Sequence, residues 1–243
     1  MIRYKLFTNQ GTREKNEDSV GELDQNGRFC FALADGLGGH GKGEVASSIA
    51  VRSVLQLFHE EGEKEDFLRD SFYSAQNEVM KMQQRSYEFA DMKTTLVTLL
   101  VSDGYVRWGH IGDSRLYYFS HGNVKLRTLD HSVPQMLVKL GEISDNDIRF
   151  HEDRNRLLKV IGSEWDEEDF DLGKRIPLKN GQAFLLCTDG FWEWIDETQM
   201  EFTLRQSESV EQWMNSMVEI VTTQGSGSQM DNFSAIAVWV TKE

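Results

Sequence analysis

Two short runs constrain this chain more than any other feature. Phe29 to Ala34 reads FCFALA and stops at Asp35-Gly36, and Gln182 to Thr188 reads QAFLLCT and stops at Asp189-Gly190. Neither run alternates with polar residues, so each fits a strand buried on both faces. A strand of that kind needs a layer on each side of it. A third apolar run, FSAIAVWV from Phe233 to Val240, follows Asp231-Asn232 near the C-terminus.

The rest of the chain supplies those layers. IRYKLFT near the N-terminus alternates like a strand, and the polar stretch GTREKNED after it reads as a loop. TTLVTLLVS and YVRWGHI flank Asp103-Gly104, a strong hairpin signal, and RLYYFS and VKLRTL flank a second turn at His121-Gly122-Asn123. Apolar residues recur at helical spacing from Glu44 to about His59 and from Lys64 to about Phe89. Further helices are expected at Ser132–Leu140, near Asp145, at Glu197–Arg205 and at Ser209–Val221. SEWDEEDFD reads as an acidic loop or strand edge. With no repeat and no linker-like break, the pattern implies one α+β domain over residues 1–243: two packed antiparallel sheets with helices outside.

Charge narrows the partners. The 40 Asp and Glu against 26 Lys and Arg leave a formal net charge of −14, which repels nucleic acid. Cys30 and Cys187 lie in apolar runs without a CxxC, as buried thiols in a reducing compartment do. The N-terminus shows no apolar signal block, and no run reaches the ~18 apolar residues of a membrane helix. A cytoplasmic monomer without membrane insertion is the expectation.

The chemistry lies where strands end. Asp35, Asp189 and Asp231 each stand at the end or start of an apolar strand, Asp113 follows Gly112 after YVRWGHI, and Asp18 sits in the loop after the first strand. Each alone is an ordinary turn signal. Gathered at one sandwich edge, they would repel one another and resist desolvation, a cost that divalent cations offset. Mg²⁺ and Mn²⁺ take oxygen ligands, and two such ions can clamp a transferring phosphoryl group. Arg13, just before Asp18, has the planar fork that fits phosphate. The glycine-rich GLGGHGKGE lacks the ending of a P-loop, and His40 within it reads as a loop residue.

Seven segments, in order, resemble the type 2C protein phosphatase family of metal-dependent serine/threonine phosphatases: GTREKNED, FALADGLGGHGKGEVAS, KTTLVTLLV, GHIGDSRLYYF, LDHSVPQMLVKLGEI, LLCTDGFWEWI and DNFSAIAVWV. The resemblance implies a four-layer α-β-β-α sandwich with metals at one edge. It implies that Asp35 bridges two Mn²⁺ or Mg²⁺ ions and that the Gly36 carbonyl binds one of them. Asp189 and Asp231 would bind the other, and Glu17 and Asp18 would act through waters. Asp113 would bind a third ion, Arg13 would hold the phosphate, and Asn232 would orient Asp231. A bridging water would then attack phosphorus directly.

Two positions depart from the family pattern. Leu37 stands where many eukaryotic members have histidine, so the general acid is unassigned. Glu193 stands where Asp is frequent beside the third metal. The segment from about Leu129 to Gly162 matches a mobile flap in the bacterial subgroup, with His151 to Arg156 gating substrate. The implied partners are phosphorylated proteins and a cognate bacterial serine/threonine kinase, and the FWEW run adds a resemblance to phosphatases of type VI secretion systems. A phosphoprotein-binding module without turnover and a two-metal nuclease are the competing readings. The intact aspartates weigh against the first and the acidity against the second.

Overall fold

The computed structural model describes residues 1–37, 42–62, 64–102 and 104–241. His40 and Asp103, both singled out in the sequence, lie outside them. The described strands are β1 (Ile2–Asn9), β2 (Asp18–Gln25), β3 (Arg28–Leu37), β4 (Lys93–Thr94), β5 (Leu96–Ser102), β6 (Tyr105–Ile111), β7 (Arg115–Ser120), β8 (Asn123–Arg127), β9 (Asp171–Leu172), β10 (Ile176–Pro177), β11 (Gln182–Cys187) and β12 (Phe233–Val240). The helices are α1 (Gly43–Glu61), α2 (Phe67–Gln83), α3 (Val133–Leu140), α4 (Asp189–Trp192), α5 (Glu197–Gln206) and α6 (Val210–Gln224).

The strands form two antiparallel sheets. One has the order β1-β12-β11-β7-β8; the other runs β10-β6-β5-β3-β2, with β4 added to β3 and β9 to β6. The expected α+β sandwich with helices outside is what the chain forms. Period two inside the apolar runs sorts the side chains between layers. On β3, Cys30, Ala32 and Ala34 face α1 and α2, while Phe31 and Leu33 point between the sheets. On β11 and β12, Ala183, Cys187, Ala235 and Ala237 face the α4–α6 side, and Phe184, Leu186, Ile236 and Val238 point inward. Small residues under the helices let them approach closely, and large ones fill the space between the sheets. Both faces are apolar for that reason, and the runs show no alternation.

Four local expectations need correction. Asp18, expected in the loop after the first strand, opens β2 instead, a strand that SVGELDQ hides by offering only two apolar side chains. α2 stops at Gln83, six residues before Phe89, and a separate 3₁₀ turn covers Tyr87–Phe89. β3 continues past Asp35 to Leu37, because Thr94 and Lys93 pair with Gly36 and Leu37. Asp189 does not end a strand; it is the first residue of α4, two positions after β11 ends. The helical patch at 133–140 is real, with Ser132 as its cap, Pro134 in its first turn and Gly141 left-handed at its end.

Candidate metal centre

Strand ends bring the acidic residues together. Asp18 opens β2 and is paired with Asp35 on β3, so the two carboxylates share one end of the sheet. Thr94 and Thr95 fix Asp35 from the other side. Thr95 N–H and the Thr94 hydroxyl donate to the Asp35 carbonyl at 2.9 and 2.8 Å, and Asp35 N–H donates to Thr95 Oγ1 at 2.9 Å. Asp113 is held by its own carbonyl, which accepts the Trp192 indole N–H at 3.0 Å. Its neighbour Arg115 is buried, binds Asp130 through two nitrogens at 2.8 and 2.6 Å, and lies 3.4 Å over the Trp192 ring. Asp189, the first residue of α4, and Asp231, two residues before β12, come from the side of the facing sheet.

These groups enclose a cleft of about 420 Å³. Arg13, Asp35, Gly36, Asp113, Asp189 and Asp231 all line it, so the residues named from the sequence converge, with one exception. Asp18 does not line the cleft but a neighbouring cavity along β2 and α1, yet its charge acts on Asp35. Thr188 donates to Asp18 Oδ2 at 3.0 Å, while Asp18 Oδ1 is buried with no hydrogen-bond partner among the described residues. Arg13 is 58% exposed at the mouth and donates to Asp231 Oδ2 at 2.6 Å.

Electrostatics mark the cleft as a site that wants cations. Burial and then the Asp189 charge push Asp35 well above the usual carboxylate range, and Asp35 and Asp189 lie within hydrogen-bond reach of each other. Burial raises Asp189 and Asp113, the charges of Asp231 and Asp189 adding to it respectively. Burial pushes Asp18 to about 7. Oxygen-only donors, like charge in close quarters and an orphaned carboxylate oxygen all fit hard divalent ions. Glu193 is also pushed to about 7 by burial, and its Oε1 accepts from Arg154 Nε at 2.8 Å.

The close approach of two backbones shapes the floor. A Cβ at Gly36 would meet the Gly43 carbonyl at 2.3 Å, so β3 and the start of α1 can touch only through glycine. Ser47 on α1 donates to the Glu17 carbonyl and contacts Ser19 at 3.0 Å. The loop carrying Arg13 is hung on Asn232. Its Oδ1 accepts Glu17 N–H, and its Nδ2 donates to the Gln10 and Lys15 carbonyls, each at 2.8 Å. Asn232 thus positions this loop with its side chain and touches Asp231 only through its backbone N–H. The structural roles of Thr94, Thr95 and Ser47 escaped the sequence reading, since hydroxyls that bond distant backbone leave no local pattern.

Asn155 and Leu157, from the 129–162 segment, complete the cleft wall. Arg127–Asp145 (2.5 Å), Arg149–Glu197 (3.0 Å) and Arg154–Glu193 tie this segment to the body. A second group lies apart from the lining of the cleft: His110, His131 and Asp171 each bring a ligand atom within 4.8 Å of the others and could hold a metal ion. His110 Nε2 faces the Leu129 carbonyl at 2.8 Å. His131 Nδ1 accepts Gly112 N–H at 3.2 Å, which leaves the proton on Nε2 toward Asp171. That group offers two imidazole nitrogens and one carboxylate, whereas the cleft offers four aspartate carboxylates and a carbonyl, the oxygen donors hard divalent ions prefer. The cleft is the stronger metal centre on donor chemistry. It is not the largest cavity; a mostly apolar one of about 720 Å³ runs along β2 and α1.

The protein phosphatase 2C family model matches residues 9–233. The serine/threonine phosphatase stp of Listeria welshimeri is 29% identical over 233 residues, covering 93% of this chain and 90% of the relative. The crystal structure of the serine/threonine phosphatase Stp1 from Staphylococcus aureus superposes with a TM-score of 0.90 at 27% identity, covering 100% of this chain and 96% of that one. The catalytic domain of the serine threonine protein phosphatase PstP, solved in complex with 2 manganese ions, gives 0.82 at 26% identity over 99% of both chains.

Proposed function

Because the chain belongs to the protein phosphatase 2C family, we propose that the cleft at Asp35 hydrolyses phosphoserine and phosphothreonine in proteins with the help of divalent cations. One observation carries this reading: Asp35, Asp113, Asp189 and Asp231, scattered over the sequence, line one cleft with Arg13 at its mouth. In this reading Asp35, the Gly36 carbonyl, Asp189 and Asp231 would hold Mn²⁺ or Mg²⁺ ions, and Asp113 and Asp18 would add carboxylates for further or indirect coordination. Bound there, the cations supply Lewis acidity toward phosphate oxygens and make a nearby water acidic enough to attack at neutral pH.

The chain's own residues do the rest. Asp18, Asp35, Asp113 and Asp189 give up the protons that burial lets them keep, which makes the cleft anionic enough to gather cations. Arg13 exchanges its contact with Asp231 for the equatorial oxygens of the phosphate, where its fork neutralises charge. Leu37 offers no proton at its position. The Arg154–Glu193 pair holds the 129–162 segment over α4, and Asn155 and Leu157 wall the cleft against bulk water. We further place the 129–162 segment as a flap that admits the phosphopeptide, and a serine/threonine kinase as the enzyme whose products are consumed.

The test is a phosphothreonine peptide assay on protein stripped with EDTA. Activity should vanish and return on adding Mn²⁺ or Mg²⁺. Full turnover after stripping would exclude the reading.

A further inference from the structure

β2 ends its sheet. It pairs with β3 on one side, and its other side has no backbone partner between Ser19 and Gln25 among the described residues. Natural proteins blunt such edges with lysine, proline, a bulge or a cover, because an open edge templates another strand. β2 has no lysine, arginine, proline or bulge, its register against β3 running unbroken from Asp18 to Gln25, and the charges it does carry, Asp18, Glu22 and Asp24, are all acidic. The two edge strands of the facing sheet both carry basic residues, Arg3 and Lys5 on β1 and Lys125 and Arg127 on β8.

The 720 Å³ cavity follows this edge. Val20 and Glu22 line it from the inter-sheet face of β2, and Gly21 and Leu23 from the face beneath α1. A space touched by both faces of an edge strand lies in the plane of the sheet, where the next strand would run. Val51 and Leu55 of α1 wall it on one side. Gly21 brings the helix close, since a Cβ there would stand 2.7 Å from Leu55 Cδ1.

We propose that the β2 edge binds an extended segment of a partner protein as an added strand. The segment sends apolar side chains toward Leu23, Val51 and Leu55, and basic ones toward Glu22 and Asp24. Backbone bonds supply affinity and alternate side chains supply selectivity, as in other strand additions. Charge selects this occupant. Glu22 and Asp24 share one face, and the molecule as a whole carries −14. A second copy would bring its own Glu22 and Asp24 against the first pair and be repelled. The cavity reaches Asp18 at one end, but the open edge of β2 and the wall of Val51 and Leu55 share no residue with the cleft lining, and the proposal does not rest on the phosphatase reading. Because β2 begins at Asp18, a partner held here lies beside the metal centre.

A displayed library of random segments, matched to the eight residues of β2, is selected on the intact protein, and the winners are made as fluorescein-labelled peptides. Winners should alternate apolar residues with lysine or arginine. Binding should slow hydrogen exchange at the Ser19–Gln25 amides. Fluorescence anisotropy should show affinity falling about tenfold or more in Glu22→Lys and less in Glu22→Gln, with p-nitrophenyl phosphate hydrolysis unchanged in both. Winners without the alternation, affinity indifferent to both Glu22 variants, or no protection of the β2 amides would overturn the proposal. So would amide protection that grows with protein concentration alone, which would give the edge to a second copy.

Discussion

At the scale of single residues, the cleft trades stability for chemistry. Asp35 is buried against Asp189, whose charge makes Asp35 harder to ionise, while burial and the Asp231 charge hold Asp189 up against a hydrogen bond from Asp35 that eases its ionisation. Groups whose folded pKa is raised stabilise the fold below their unfolded value and lose that contribution as pH rises through the folded one. For Asp18 the window runs from about pH 4 to about 7, and the raised Asp35, Asp113 and Asp189 act in the same direction. Metal-free protein is therefore penalised at neutral pH. Asp35→Asn removes a buried ionisable group whose raised pKa is penalised at neutral pH, so its metal-free form should melt higher than wild type near pH 7, with the gap closing toward pH 4. Saturating Mn²⁺ should reverse the order, because the variant binds the ion poorly. Thermal melts with and without EDTA read both signs. Asp189→Asn should keep the fold and lose about 10²-fold or more in turnover, with a matching loss of Mn²⁺ affinity by calorimetry. Arg13, at the mouth, should mainly govern substrate capture. Arg13→Ala should raise KM for a phosphopeptide several-fold and change kcat less; the reverse split would place Arg13 in the transition state.

At the scale of elements, the site depends on how few of them may move. The start of α1 rests on β3 through Gly36 and Gly43, and Ser47 holds the Glu17 carbonyl. Gly36→Ala forces these backbones apart; a cost of about 1–3 kcal/mol in chemical denaturation is expected. Weaker Mn²⁺ binding should come with it, since Asp35 and Gly36 shift together. The Arg13 loop depends on Asn232 in the same way. β2 shows the opposite economy: an edge strand that packs one partner strand and one helix needs few apolar residues. That is why its sequence hid it, and why its outer side is free to take another chain.

At the scale of the molecule, the space between the sheets is filled by Phe31, Leu33, Phe184, Leu186, Ile236 and Val238, drawn from both halves of the chain. We propose that residues 1–243 unfold as one cooperative unit. Phe184→Ala should cost about 3–5 kcal/mol and lower a single calorimetric transition; two separated transitions would argue for independent halves. The sequence by itself determined the sandwich and most of its elements, because runs apolar on both faces require layers on both sides, and helix periodicity and turn residues act over a few positions. It also pointed to Asp35, Asp113, Asp189, Asp231 and Arg13, since strand ends are local features. Only the tertiary structure decided that these ends meet, that Asp18 lies outside the cleft lining with one oxygen unpartnered among the described residues, and that Arg154 holds Glu193. It alone showed that β2 is a strand with an open edge. Those facts depend on contacts between residues far apart in the chain, where burial and charge add up in ways no window of neighbouring residues records.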